Sequence, residues 1–197
     1  MKYKTVVIDF PWPIKLAESP ETLQGSKLGN IPYESFSVDA LFDFNIDEFA
    51  ANKALLFIWA TGGKTKNGIS IMELALRLIR HWGFTYRQTL YWQKNKATPA
   101  IFTPFRRSIE PIIFASRNIA AIPPYGRFSD IFQAPRAKHS QKPAKFYQLL
   151  REWTPKPRID LFARRAHEGF NGWGDEYVAE GPLAQYLETK DRKEDER

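Results

Sequence analysis

The chain has 197 residues, 43% hydrophobic and 15% aromatic, with a formal net charge of +7. That length suits one domain with a full core of its own. It contains no cysteine, which excludes disulfides, thiolate zinc sites, iron–sulfur clusters and any attack on a pyrimidine ring through a thiolate. No apolar run is long enough to span a bilayer, and MKYKTVVIDF does not read as a signal peptide. The three histidines, His81, His139 and His167, are too far apart in sequence to suggest a multi-histidine metal centre. A cytoplasmic protein working without a metal, and without a membrane, is the expectation. The charge is uneven: Lys94 to Arg165 holds 15 Lys/Arg against 4 Asp/Glu, a local balance of +11. A basic stretch inside a globular chain points to a polyanionic partner.

In chain order, Thr5 to Ile8 predicts a short buried strand that ends in a carboxylate, Asp9. Phe10, Pro11, Trp12 and Pro13 follow, and neither proline can continue a strand. Residues 15–53 read as irregular, with one or two short helices capped by Ser37 or Asp39. ALLFIW (54–59) is a continuous apolar run, the mark of a strand covered on both faces. ISIMELALRLIRHWGF carries Ile71, Ala75, Ile79 and Trp82 on one helical face, with Gly83 as the stop. TYRQTLYWQK and PIIFASR (111–117) predict two more strands, and residues 118–142 a long loop. PAKFYQLLREW is an amphipathic helix with Pro143 in its first turn, and RIDLFAR the next strand. Residues 181–197 form a charged tail after a single domain over 1–180. Strands alternating with helices define an α/β domain with a mostly parallel sheet flanked by helices. In such sheets ligands bind beyond the carboxyl ends of the strands. Asp9, ATGGK and ARRAHEG lie at three such ends.

A strand-end carboxylate beside a proline-stiffened turn has a use in one chemistry. The exocyclic amine of a nucleobase is a poor nucleophile, because its lone pair is delocalised into the ring. Two acceptors on its two N–H bonds would draw the nitrogen toward tetrahedral geometry and localise that pair. A carboxylate supplies one acceptor and the next backbone carbonyl the other. An aromatic ring two residues on can stack on the base, worth roughly 1–3 kcal/mol. A lone Asp-x-Pro-Trp is equally the composition of a strand-terminating turn with a core tryptophan, so the rest of the chain has to decide.

IDFPWPI resembles the Asp-Pro-Pro-Trp signature of the MTA-seventy-like family, the messenger-RNA adenosine methyltransferases and their bacterial and phage DNA-modifying relatives. The likeness continues in order through IPYESFSVDAL, ALLFIWATGGK, ALRLIRHWGFTYRQTLYWQKNK, FRRSIEPIIFASRN, HSQKPAKFYQLLREW and IDLFARRAHEGFNGWGDE. It runs from about Tyr3 to Glu176. The resemblance implies a Rossmann-like, S-adenosylmethionine-dependent methyltransferase fold with permuted motif order, the catalytic turn first and the cofactor strand last. It implies transfer of a methyl group to the N6 amine of adenine in nucleic acid, DNA rather than RNA.

By the same resemblance, Asp9 and the Phe10 carbonyl accept the two amine N–H groups, Pro11 stiffens the turn and Trp12 stacks on or walls the base. Phe10 departs from the family, standing where its first proline does. Lys142 and Arg164 hold the cofactor, and Asp175 and Glu176 its ribose hydroxyls. On the nucleic-acid side Tyr33 closes over the site, Arg107 and Glu110, three apart before a strand, line the base pocket or pair in a structural salt bridge, and Arg106, Arg117, Arg127, Arg136 and Lys138 meet phosphates. His167 reads as a surface residue, and Trp59 and Trp82 as core. A homo- or hetero-dimer fits the family. Two alternatives stay open: an amino-cytosine (N4) methyltransferase using similar chemistry, and a catalytically silent nucleic-acid-binding partner.

Overall fold

The computed structural model describes residues 1–14, 36–98, 104–118, 127–136 and 141–173. Seven strands form one sheet: β1 (Tyr3–Ile8), β2 (Ala50–Trp59), β3 (Thr85–Thr98), β4 (Arg107–Arg117), β5 (Ile131–Ala134), β6 (Arg158–Leu161) and β7 (Asn171–Trp173). Their order across the sheet is β5-β3-β4-β2-β1-β6-β7. Every neighbouring pair is parallel except β4 with β2 and β4 with β3. Thus β4 alone runs against the rest, and the sheet is a mostly parallel α/β sheet of the Rossmann-like methyltransferase kind.

Helices α1 (Val38–Asp43), α2 (Ile71–His81) and α3 (Ala144–Trp153) accompany it. Ser37 caps α1 and Ser70 caps α2 through their hydroxyls, satisfying N–H groups the helices leave open. Gly83, at φ +70°, ends α2 in the left-handed region, where a Cβ would be strained. Strand alternation sorts the core into two layers. Val6, Ile8, Leu56, Ile58, Ile159 and Leu161 pack against α1 and α2. Val7, Leu55, Phe57, Trp59, Trp92 and Ile112 pack against Phe146, Tyr147 and Leu150 of α3.

Several elements differ from the sequence expectation: β2 starts at Ala50, inside the stretch read as irregular, β3 runs on to Thr98, and β7 has no counterpart there. Within residues 118–142, read as loop, β5 forms an edge strand in which Phe132 and Ala134 are buried and Ile131 and Gln133 exposed. Four residues carry too few alternations to stand out from a turn. Strand β4 begins at Arg107, not Pro111, because its first residues pair with β3 beyond the point where β2 runs out. Finally, β6 stops at Leu161, and Phe162 turns the chain with φ +61°.

Candidate active site

The direction of β4 builds the site. At the carboxyl edge of the parallel strands, β1 delivers Asp9, β3 delivers Lys94 and β6 leads into the turn 162–167. Because β4 is antiparallel, its beginning, and so Glu110, arrives at the same edge. Alternation then chooses the face. Asp9 follows Val7, Lys94 follows Trp92, and Glu110 pairs across from Trp92, so all three point to the α3 side. Lys142 stands just before α3 and faces them.

The result is a chain of alternating charges. Lys142 Nζ lies 3.2 Å from Asp9 Oδ1 and 3.2 Å from Glu110 Oε2, and Lys94 Nζ lies 2.6 Å from Glu110 Oε1. All four side chains are largely buried, at 7–22% exposure. The Lys142 ammonium also sits 4.9 Å over the Trp59 ring, a cation–π contact. Burial raises the Asp9 carboxyl above its usual range, with Lys142 restraining the rise. Burial would also raise Glu110, but the ammoniums of Lys142 and Lys94 outweigh it and hold its carboxyl low. Burial would lower Lys142, yet Asp9 and Glu110 overcome it and raise its pKa. Lys142 is therefore a firm cation between two carboxylates.

The turn after Asp9 is held by its own backbone and by the core. Trp12 N–H donates to Phe10 O (2.9 Å) and Ile14 N–H to Trp12 O (2.7 Å), two successive i→i+2 bonds each closed over a proline, whose fixed φ suits such turns. Phe36 N–H donates to Pro11 O at 3.0 Å. The Phe10 ring sits within 6.2 Å, centroid to centroid, of Trp12, Phe36, Phe44, Trp82 and Phe162. The rigidity a proline would give at this position comes here from an aromatic cage. Phe10→Ala should cost about 3–5 kcal/mol of stability, in the range of buried phenylalanine truncations, measurable by urea unfolding.

Trp12 is 5% exposed and its Nε1–H donates to Trp59 O at 2.9 Å. In this structure it braces the turn from within the core and offers no open stacking face. Trp59 and Trp82 are buried, as expected.

A second cluster borders Asp9. A cavity of about 10 Å³, the size of one water, is lined by Asp9, Lys142, Tyr147, Asp160, Arg164 and His167 among others. Asp160 is 2% exposed. Burial raises its carboxyl to about 8, the Tyr147 hydroxyl that donates to it opposes this, and Asp9 adds to the rise. His167 is lowered to about 4, chiefly by burial and then by Arg165. His167 Nε2 and Asp160 Oδ2 are 3.9 Å apart, but near neutral pH both are uncharged, so this is no ion pair. A protonated Asp160 also explains how its Oδ1 can be buried with no partner among the described residues, since a neutral carboxyl costs far less to bury than an ion.

The folded chain keeps a proton on Asp160 that the unfolded chain releases near pH 4. Its stabilising effect is complete below that value and is lost as pH rises through about 8, at up to about 1.4 kcal/mol per pH unit. Asp160→Asn should flatten that slope in thermal melts taken from pH 4 to 9.

Several expected residues fall elsewhere. His167 is not on the surface: its side chain is 7% exposed and its ring stacks 3.4 Å from Tyr147. Arg107 and Glu110, three apart in a strand, face opposite sides, and Arg107 leans toward Gly62 in the turn after β2. Arg106 and Arg107 are exposed at the start of β4. Arg117 sits at the far edge of the sheet, where it bonds Asp47 and the carbonyls of Trp82 and Ala51, because β4 carries it away from Asp9. Arg127 covers Phe128, and Arg136 is exposed beyond β5. Tyr33, Lys138, Asp175 and Glu176, with the tail 181–197, lie outside the described residues.

Sequence reasoning missed Lys94, Tyr147, Asp160 and Arg165. Arg165 donates to the Lys142 carbonyl at 3.0 Å. Only Asp160 had a visible signal, a carboxylate between Ile159 and Leu161 in a buried strand.

A mostly parallel sheet with a carboxylate-ended first strand, a rigid aromatic turn and a polar cleft at the strand ends is the architecture of a nucleic-acid methyltransferase. Residues 3–176 match the MT-A70 family, and the chain belongs to it. It is also similar to the Type II methyltransferase M.MunI of Mycoplasma sp., at 24% identity over 195 residues, covering 88% of this chain and 77% of the relative. At the family level the protein is an S-adenosylmethionine-dependent methyltransferase of adenine in nucleic acid. Among the described residues no helix is long and apolar enough to cross a membrane.

The cleft suits that cofactor chemically. Its methionine part presents an ammonium and a carboxylate, and the cleft offers carboxyls at Asp9 and Asp160 and cations at Arg164 and Arg165. Among the described residues, Asp160 Oδ1 and Arg165 Nε are buried polar atoms that have no partner. The resemblance puts Lys142 on the cofactor carboxylate, whereas here its ammonium spans Asp9 and Glu110.

Proposed function

We propose that the protein methylates the exocyclic N6 amine of adenine in DNA, with Asp9 and the Phe10 carbonyl as the acceptors that activate the amine. The observation that carries this reading is the placement of Asp9: a buried carboxylate beside a braced backbone carbonyl, with a lysine cation 3.2 Å away. The cofactor supplies a methyl on a sulfonium, and the amine lone pair takes that methyl as the carbon–sulfur bond breaks. Asp9 orients one N–H and receives the proton the new secondary amine sheds. Its raised pKa suits that receipt. Lys142 keeps Asp9 ionised in a desolvated place and Glu110 keeps Lys142 in position. Arg164, Asp175 and Glu176 are assigned to the cofactor, and Tyr33, Arg106, Arg107 and Glu110 to the target side.

Placement on DNA is supported by the likeness to a Type II methyltransferase. The test is incubation with labelled S-adenosylmethionine and either DNA or RNA, followed by nucleoside analysis. N6-methyldeoxyadenosine is the expected product. N4-methyldeoxycytidine would replace adenine with cytosine as the target. No label in either polymer, from protein that does not bind the cofactor, would make the chain a silent partner.

A further inference from the structure

The β3–β4 hairpin runs on past the sheet. Strand β2 pairs with β4 only as far as Trp59 opposite Ile112, and β5 with β3 only as far as Lys94 opposite Ala134. Beyond those rungs β3 continues to Thr98 and β4 starts back at Arg107. Among the described residues this stretch is a short two-stranded ribbon with no third strand beside it, paired at Gln93–Ile109 and, past an irregularity in β3, at Thr98–Arg107. Its root is the rung Trp92–Glu110, so it rises directly from the charged site.

Its chemistry is one-sided. From Asn95 to Ile109 the sequence has Lys96, Arg106 and Arg107 and no acidic residue, and those three cations are exposed. Phe105 is 77% exposed, more than any other described aromatic residue, and Ile109 is 45% exposed. Single exposed apolar residues are ordinary; two within five residues, flanked by arginines at the mouth of a polar cleft, form a feature. The geometry fits duplex DNA. A two-stranded ribbon is of a size to enter a major groove, and its cations would meet phosphates. A base turned out of the stack leaves a gap whose opening costs a few kcal/mol, and apolar side chains are the groups that wedge between base steps. Phe105 lies two residues before β4, and at a rise of about 3.4 Å per residue it stands at most roughly 17 Å from Glu110.

We infer that this ribbon is the element that engages duplex DNA and that Phe105 is the wedge that fills the stack when the target base leaves it. The inference rests on the base-methylation reading above. The test compares wild-type protein with Phe105→Ala on two duplexes carrying the target sequence, one with the target base paired and one with it opposite an abasic site. On the paired duplex Phe105→Ala should lose about tenfold or more in methylation rate, and on the unpaired one it should come within about threefold of wild type. Thermal melts should be unchanged. A double variant, Arg106→Ala with Arg107→Ala, should weaken binding to both duplexes alike and lower the salt slope by about two.

An equal loss on both duplexes, or none on either, overturns the wedge while leaving base methylation intact. Conversion of a dimer to a monomer by Phe105→Ala, seen by size-exclusion chromatography with equal loss on both duplexes, overturns it in favour of contact between copies. A wild-type protein that methylates neither duplex overturns both readings.

Discussion

Asp9→Ala should sharply reduce methyl transfer while the fold survives. The expected fall in kcat is at least about 10²–10³-fold, the scale of removing one preorganised polar group from a reaction centre. Binding of S-adenosylmethionine by calorimetry and of DNA by anisotropy should fall far less. Stability should change little, because the Lys142 ammonium keeps Glu110 as a partner 3.2 Å away and the desolvation that raises the Asp9 carboxyl is removed with it. Full activity in this variant would end the proposed role of the strand-end carboxylate.

Lys142→Met has the opposite profile for stability. It leaves Asp9 and Glu110, each 3.2 Å from the lost ammonium, with Lys94 beside Glu110 and Arg164 acting on Asp9. Removing one partner from a buried charge pair costs about 3–5 kcal/mol, and activity should fall with it. The pH dependence shows the sign. With Lys142 present, Glu110 is held low and stabilises the fold above its unfolded pKa, an effect lost as pH falls through the folded value. Without Lys142 the facing carboxyls are raised, so the variant should be least impaired near pH 5 and lose stability as pH rises. Melts of both proteins from pH 5 to 8.5 check this, and a constant difference across that range would remove Lys142 from the charge chain.

The parts of the fold that announce themselves in the sequence are those with long repeats of one pattern. ALLFIW could only be a strand covered on both faces, and Ile71 to Ile79 only a helix with one apolar side. Strand direction has no such signature. Nothing in PIIFASR says that it runs against its neighbours, yet that reversal decides that Glu110 joins Asp9 and that Arg117 goes to the far edge. Side-chain face is readable only once a strand's start is known. Taking 107–110 as loop paired Arg107 with Glu110, and extending the strand separates them. His167 gave no local sign of burial, since the Tyr147 ring that covers it comes from another element twenty residues away.

The alternation in β1 carries a consequence for how the site can change. Asp9 belongs to the face of Val7 and Phe10 to the face of Ile8. Deleting or inserting a single residue in this strand would exchange them, sending a carboxylate into a cage of five aromatic rings and a phenyl ring into the charged cleft. Chemistry and packing would fail together, and no substitution at Asp9 or Phe10 alone could repair both. The count of residues between Tyr3 and Asp9 is therefore as closely constrained as their identity, and this stretch should accept conservative exchanges of side chain while rejecting every change of length.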